Sequence, residues 1–249
     1  MAKHRAPRLY IEGQLAAGEA VELETAQVHY LRTVLRLDHG GVVRGFNAVD
    51  GEWLCRIIGV DKGRGRLTVE RQLRSPEPKP ELWLLFAPIK RARLDWLVEK
   101  ATELGVSTLL PVWTARTQPG RVNLERLRAH AVEAAEQSER LSVPELRSPE
   151  PLDRLLIAWP AGRPLFVCDE TGAGEPIGEP ALRLAPGPVA FLVGPEGGFD
   201  QTELDALDKL SFVTRIGLGP RVLRAETAAL AALAVFQAIA GDWRRTRTH

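Results

Sequence analysis

From Leu82 onward the chain alternates short, wholly apolar runs with amphipathic stretches, and that alternation restricts it to few folds. Leu82 to Pro88, Thr108 to Val112, Leu165 to Cys168, Val189 to Val193 and Phe212 to Ile216 read as strands. Between them, Leu94 to Leu104 reads as a helix ended by Gly105, with Leu94, Leu97, Val98, Ala101 and Leu104 as its apolar positions. Asn123 to Glu139 is a second helix with Asn123 as N-cap, and an Ala- and Leu-rich helix runs from about Arg224 to Ala240. Strands separated by helices are joined by crossovers, so the expectation is a parallel α/β sheet.

The preceding residues follow another pattern. Val42 to Phe46 and Trp53 to Val60 are short strands around Asn47-Ala48-Val49-Asp50-Gly51, whose Asp-Gly pair signals a hairpin. Gly63-Arg64-Gly65-Arg66 reads as a second turn before Leu67-Thr68-Val69-Glu70, and Gln27 to Arg36 as a short helix. Several short strands in this span suggest a small barrel. Ser75-Pro76-Glu77-Pro78-Lys79-Pro80 is a stiff linker between the two patterns.

Lys+Arg 33 against Asp+Glu 32 leaves a net charge of +1, so a nucleic-acid surface must be a local basic patch. Cys55 and Cys168 are far apart in the chain and have no Cys or His at ligand spacing, so neither a disulfide framework nor a metal is expected. The N-terminus lacks an apolar leader, and the longest apolar stretch, Ala228 to Ala240, reads as too short to cross a membrane. A cytoplasmic protein is expected.

Two loops carry the chemistry. Val193-Gly194-Pro195-Glu196-Gly197-Gly198-Phe199 and Gly219-Pro220-Arg221-Val222-Leu223-Arg224-Ala225-Glu226-Thr227-Ala228 each follow a strand and open toward a helix. Gly-Pro turns let backbone approach a ligand closely, and two of them at the ends of neighbouring parallel strands would build a small-molecule site. Neither GxGxxG nor a phosphate-binding GxxxxGK[ST] is present.

These loops resemble the signature of the RsmE family, small-subunit rRNA uridine-N3 methyltransferases of the SPOUT class. Further segments match in order: Arg8-Leu9-Tyr10, His29 to Arg36, Lys90 to Val106 with its Lys100-Ala101-Thr102-Glu103-Leu104-Gly105-Val106, and Glu133 to Arg140 followed by Val143-Pro144. Glu139 stands where the family usually has glycine, and Tyr30 and Leu9 replace a usual His and Phe.

The resemblance implies an α/β fold: a C-terminal SPOUT domain over 81–249, with a parallel sheet and a deep trefoil knot. It also implies a PUA-like RNA-binding β-barrel over 1–73 and a linker at 74–80. The implied activity is methylation of N3 of a specific uridine near the 3′ end of 16S rRNA, from S-adenosylmethionine, by a homodimer acting on the small ribosomal subunit. Gly194, Gly197 and Gly219 would admit the cofactor, and Leu192, Leu218 and Leu223 would wall its adenine, with Cys168-Asp169-Glu170-Thr171 a further wall. Uridine N3 is a weak acid whose proton must leave, so Arg224 would stabilise the developing imidate while Glu196, Glu226 or bulk water takes the proton. Arg5, Arg8, Arg32, Arg36, Arg116 and Arg140, with Arg91 and Arg93, would meet rRNA phosphates, and Tyr10 or Tyr30 would stack on a base. His29 reads as structural. Two rivals stay open: a SPOUT enzyme acting on tRNA, and a non-catalytic RNA-binding or ribosome-assembly factor.

Overall fold

The computed structural model describes residues 6–61, 63–78, 81–117 and 120–244, which leaves Arg5 and the last two residues of the linker outside. The chain divides into two compact units, 1–79 with 135–143, and 80–134 with 144–249.

The first unit is a five-stranded sheet in the order β1-β3-β4-β5-β2. Its strands are β1 (Arg8–Tyr10), β2 (Ala20–Leu23), β3 (Val42–Asn47), β4 (Gly51–Asp61) and β5 (Arg64–Arg74). Only β1 and β3 pair in parallel. The expected hairpin joins β3 to β4: Asn47 Oδ1 accepts from the Val49 and Asp50 amides at 3.0 and 2.6 Å, and Gly51 follows at φ +84°. Irregularities in register bend the long β4–β5 ladder. The second expected turn is shorter than the sequence suggested. Arg64, Gly65 and Arg66 already lie in β5, and a Cβ at Gly65 would meet Val28 Cγ2 at 2.8 Å and Leu23 Cδ1 at 3.0 Å. That glycine serves close packing of α1 (Thr25–His29), which continues into a π-helical turn over Tyr30–Val34.

The second unit holds an all-parallel sheet of eight strands. Its order is β11-β13-β10-β12-β6-β7-β8, with β9 also on β7. The strands are β6 (Leu82–Phe86), β7 (Thr108–Trp113), β8 (Glu145–Leu146), β9 (Glu150–Pro151), β10 (Leu165–Cys168), β11 (Glu175–Pro176), β12 (Val189–Val193) and β13 (Val213–Gly217). The helices are α2 (Arg91–Glu103), α3 (Leu124–Gln137), α4 (Leu152–Ile157), α5 (Gly178–Leu182), α6 (Gln201–Leu207) and α7 (Ala225–Ile239). Every residue of β6, β10 and β12 is buried, as strands covered on both faces must be. Asn123 caps α3 as expected, its Oδ1 accepting from the Arg126 amide at 3.0 Å.

One reading changes. With the 3-10 turn that follows it, α7 forms a stretch over Ala225–Arg244 that is long and apolar enough, by composition, to cross a membrane. Here its inner residues Ala229, Ala232, Leu233 and Phe236 are buried, and the helix packs on α2 and β12. Phe236 meets Phe191 edge-on at 5.6 Å. It is a core helix of the second unit.

Candidate active site at the carboxyl edge of the sheet

Because the strands run parallel, the loops after β10, β12 and β13 leave the sheet at one edge, where α2 and α7 begin. These loops brace one another. Glu170, after β10, accepts from the Phe199 amide at 2.8 Å and occupies the space where a Cβ at Gly198 would fall. Gly198 is at φ +71°, so two independent reasons demand glycine there. Asp200 caps α6 through the Thr202 amide, its carboxyl held below the usual range first by that hydrogen bond and then by Arg116. Arg116 donates to Gly197 O at 3.2 Å and to Asp200 Oδ2 at 3.2 Å, tying the segment after β7 to the glycine loop.

The loop after β10 is anchored from below. Asp169 has a fully buried carboxylate that accepts from the Thr171 amide and pairs with Arg215 at 2.7 Å; Arg215 also holds Asp208 at 3.0 Å. Burial alone would raise Asp169, but the Thr171 and Arg215 hydrogen bonds prevail and hold its carboxyl low. Burial, with Glu170 nearby, pushes the Cys168 thiol up to about 12, so it is a neutral packing group and no nucleophile.

At the start of α7, Arg224 occupies the N-cap position, its carbonyl accepting from the Ala228 amide at 2.8 Å. Its side chain is exposed and makes no ion pair among the described residues. Two residues on, Glu226 is 8% exposed, and its Oε2 has no hydrogen-bond partner among the described residues. Arg93, in the first turn of α2, lies 2.6 Å from Glu196 Oε1 and 3.5 Å from Glu226 Oε1. The edge thus gathers two carboxylates, a bridging guanidinium and a free one beside two glycine-bearing loops. Buried anionic groups at a helix start are favoured by its dipole. Among the described residues no group of three His, Cys, Asp or Glu could hold a metal ion.

Several expected residues take other places. Leu192 is 0% exposed and packs within the core with Leu85, Phe199 and Leu204, so it cannot wall an open site. Gly194 leaves room for the Phe199 ring, whose carbons would lie 2.9–3.1 Å from a Cβ, and so shapes the loop from inside. Gly197 and Gly219 face outward: a Cβ at Gly197 would meet only Arg116 at 3.8 Å, and Gly219, at φ +96°, faces open space. Leu218 and Leu223 are half-buried beside them.

In the first unit Arg8 is the main correction. It is 5% exposed, pairs with Glu52 at 2.6 Å, and donates to the carbonyls of Ala135, Glu136 and Arg140 at 2.7, 3.0 and 2.8 Å. Four of its N–H donors are spent on Glu52 and on carbonyls at and just beyond the end of α3, and its burial keeps it from a phosphate. Tyr10 is half-buried edge-on to Phe46 at 5.8 Å. Arg32 and Arg36 are exposed; Arg140, half-buried, bonds Ser142 at 3.1 Å; Arg5 lies outside the described residues. A cavity of about 240 Å³ in this unit is lined by Arg8, Tyr30, Arg44 and Glu139. Its arginines are already engaged, Arg8 as above and Arg44 with Glu139 at 3.3 Å. Sequence reasoning offered Glu170 only as part of a cofactor wall and missed its brace on the glycine loop, as it missed the bridging role of Arg93. Both act across the sheet edge on loops remote in the chain, a relation no local pattern carries.

Residues 75–237 match the family model described as the RNA methyltransferase domain. A Rickettsia conorii protein named ribosomal RNA small subunit methyltransferase E is 36% identical over 91% of this chain and 93% of its own length. A Synechocystis protein of the same name is 32% identical over 93% and 77%. Among solved structures, the Neisseria gonorrhoeae ribosomal RNA small subunit methyltransferase E bound to S-adenosyl methionine superposes with a TM-score of 0.84 at 27% identity, covering 96% of this chain and 100% of that one. A methyltransferase from Legionella pneumophila with bound SAM gives 0.82 at 28%, covering 94% and 98%.

Proposed function

The chain belongs to the RNA methyltransferase family, among the ribosomal RNA small subunit methyltransferases E, and from that membership we propose that it methylates N3 of one uridine near the 3′ end of 16S rRNA. It is an S-adenosylmethionine-dependent rRNA methyltransferase.

The residues at the sheet edge fit that donor. Gly219 opens onto free space, the rim carries the exposed Glu170 and Glu196, and a rim of carboxylates suits a cationic ligand. The loops over 194–198 and 218–223 would hold it. When bound, S-adenosylmethionine supplies an electrophilic methyl group on a sulfonium.

The chain's own task is to make N3 nucleophilic. The observation that carries the reading is the unpartnered Oε2 of Glu226, a buried acceptor two residues from the exposed guanidinium of Arg224. As the N3–H bond breaks, its proton passes to Glu226 Oε2 and the electron pair stays on N3, delocalised onto O2 and O4, where Arg224 stabilises it. Glu196 is the weaker candidate, since its side chain is 45% exposed and already engaged by Arg93. Alignment of N3 with the methyl group lowers the remaining barrier.

The reading extends to the rest of the molecule. The second unit forms a SPOUT trefoil knot, supported by the insertion of β12 between β6 and β10. Residues 1–73 form a PUA-like barrel and 74–80 a linker, supported by the bent five-stranded sheet. Two copies pair in the cytoplasm through α7, whose Leu230, Ala231, Ala234 and Val235 are only half-buried.

The test is incubation of pure protein with labelled S-adenosylmethionine and unmodified small subunits, then mass spectrometry of the digested nucleosides. Labelled 3-methyluridine supports the proposal. Label on another nucleoside overturns the target atom, and label only when tRNA is offered favours the tRNA enzyme. Absence of cofactor binding would favour an assembly factor.

A further inference from the structure

Arg93 falls in the same sequence stretch as Arg91 and was grouped with the phosphate-binding arginines, yet its guanidinium points to a different task. Nη1 lies 2.6 Å from Glu196 Oε1, in the loop after β12, and Nε lies 3.5 Å from Glu226 Oε1, in the first turn of α7. Three elements that meet at the sheet edge are thus joined by one side chain. Glu226 is the buried member, its side chain 10% exposed against 34% for Arg93 and 45% for Glu196. With Oε1 facing Arg93, its other oxygen, Oε2, is left without a partner.

We infer that Arg93 is a positioning residue for methyl transfer, holding Glu226 through Oε1 and leaving Oε2 uncommitted, able to take the proton of the substrate base. The inference rests on Glu226 being the proton acceptor. A carboxylate this buried needs a nearby cation, because desolvation of an unpaired charge costs several kcal/mol. The planar guanidinium also serves two acceptors at once through separate nitrogens, which an ammonium on a flexible stem does poorly. Loss of Arg93 therefore frees Glu226 to turn away and uncouples the glycine loop from α7, while Gly197, Gly219 and Arg224 stay where they are.

The test compares Arg93→Ala, Arg93→Lys, Glu226→Gln and the double variant Arg93→Ala/Glu226→Gln in full-length protein. Calorimetry with S-adenosylmethionine reports binding, and single-turnover methylation of small subunits reports the chemical step. Arg93→Ala should bind cofactor within about threefold of wild type and slow the chemical step by on the order of 10–100-fold, part of what a general base contributes. Arg93→Lys, which keeps the charge, should recover a large part of that loss. The double variant should be no slower than Glu226→Gln alone, because residues acting as a unit are not additive. An unchanged chemical step in Arg93→Ala, or losses that multiply in the double variant, would overturn the inference. Should Arg93→Ala fail to fold, Arg93→Gln replaces it in the single and the double variant: an unchanged chemical step would overturn the inference, and a loss that disappears in the Glu226→Gln background would support it. Wild-type protein that binds cofactor but transfers no methyl group would instead overturn the proposed function.

Discussion

At φ +60°, Glu139 holds a left-handed conformation that costs a residue with a side chain about 1–2 kcal/mol. It follows the end of α3, where such a residue commonly closes a helix and is usually glycine. The sequence departs from the family at this very position, and the structure shows what the glutamate gains: an ion pair with Arg44 at 3.3 Å. Glu139→Ala should destabilise the protein by more than Glu139→Gly, the difference reading the backbone cost at about 1 kcal/mol in urea melts. Two glycines of the proposed cofactor loop make a second contrast. Gly198→Ala meets both a positive φ and Glu170, so it should lower stability by about 1–3 kcal/mol. Gly197→Val meets neither and should leave the melting curve unchanged while weakening cofactor binding. Calorimetry and thermal melts on the two proteins would separate a loop that is built wrongly from one that is merely blocked.

Among the elements, the loop after β10 depends on a buried carboxylate. The Asp169 carboxyl is held below its ordinary value of 3.8, so its stabilisation is fully present above that pH and is lost as pH falls through the lower folded value. Asp169→Asn should cost about 1–3 kcal/mol at neutral pH. That gap should narrow only below about pH 4, as chemical denaturation across a pH series would show; a gap that stayed constant into acid would count against the ion pair with Arg215. The elements also show what sequence could disclose. The five long strands of the parallel sheet and the hairpin at Asp50-Gly51 were readable because continuous apolar runs and turn residues are local signals. β8, β9 and β11, two residues each, were not, since nothing so short carries a period. At the proposed site, Glu226, Arg224 and the outward glycines all stand in the two loops that the sequence singled out. Leu192 was misplaced because every residue of β12 is buried, and a strand without alternation does not say which side chain faces which way. Glu170 and Arg93 matter only through partners brought near by the fold.

For the whole molecule, the net charge of +1 provides no general attraction for RNA. The proposed function therefore assigns RNA binding to exposed side chains such as Arg32, Arg36, Arg221 and Arg224. The division into units has a sharper consequence for stability. The first unit needs residues 135–143 as well as 1–79, since Arg8 draws three of its acceptors from Ala135, Glu136 and Arg140, and Phe46 packs on Ala135 and Leu141. A fragment of residues 1–79 should therefore melt well below the same unit in the full chain, by circular dichroism and tryptophan fluorescence. An equal melting temperature would mean that the Arg8 bonds contribute nothing. The same arrangement governs how the protein comes into being. A chain synthesised from its N-terminus exposes the strands of the first unit early, but the guanidinium buried among them waits for carbonyls encoded 127 to 132 residues later. The part translated first can be completed only once residue 143 has cleared the exit tunnel, so its early strands must remain soluble meanwhile with Arg8 short of three acceptors and Phe46 without Ala135 and Leu141 beside it.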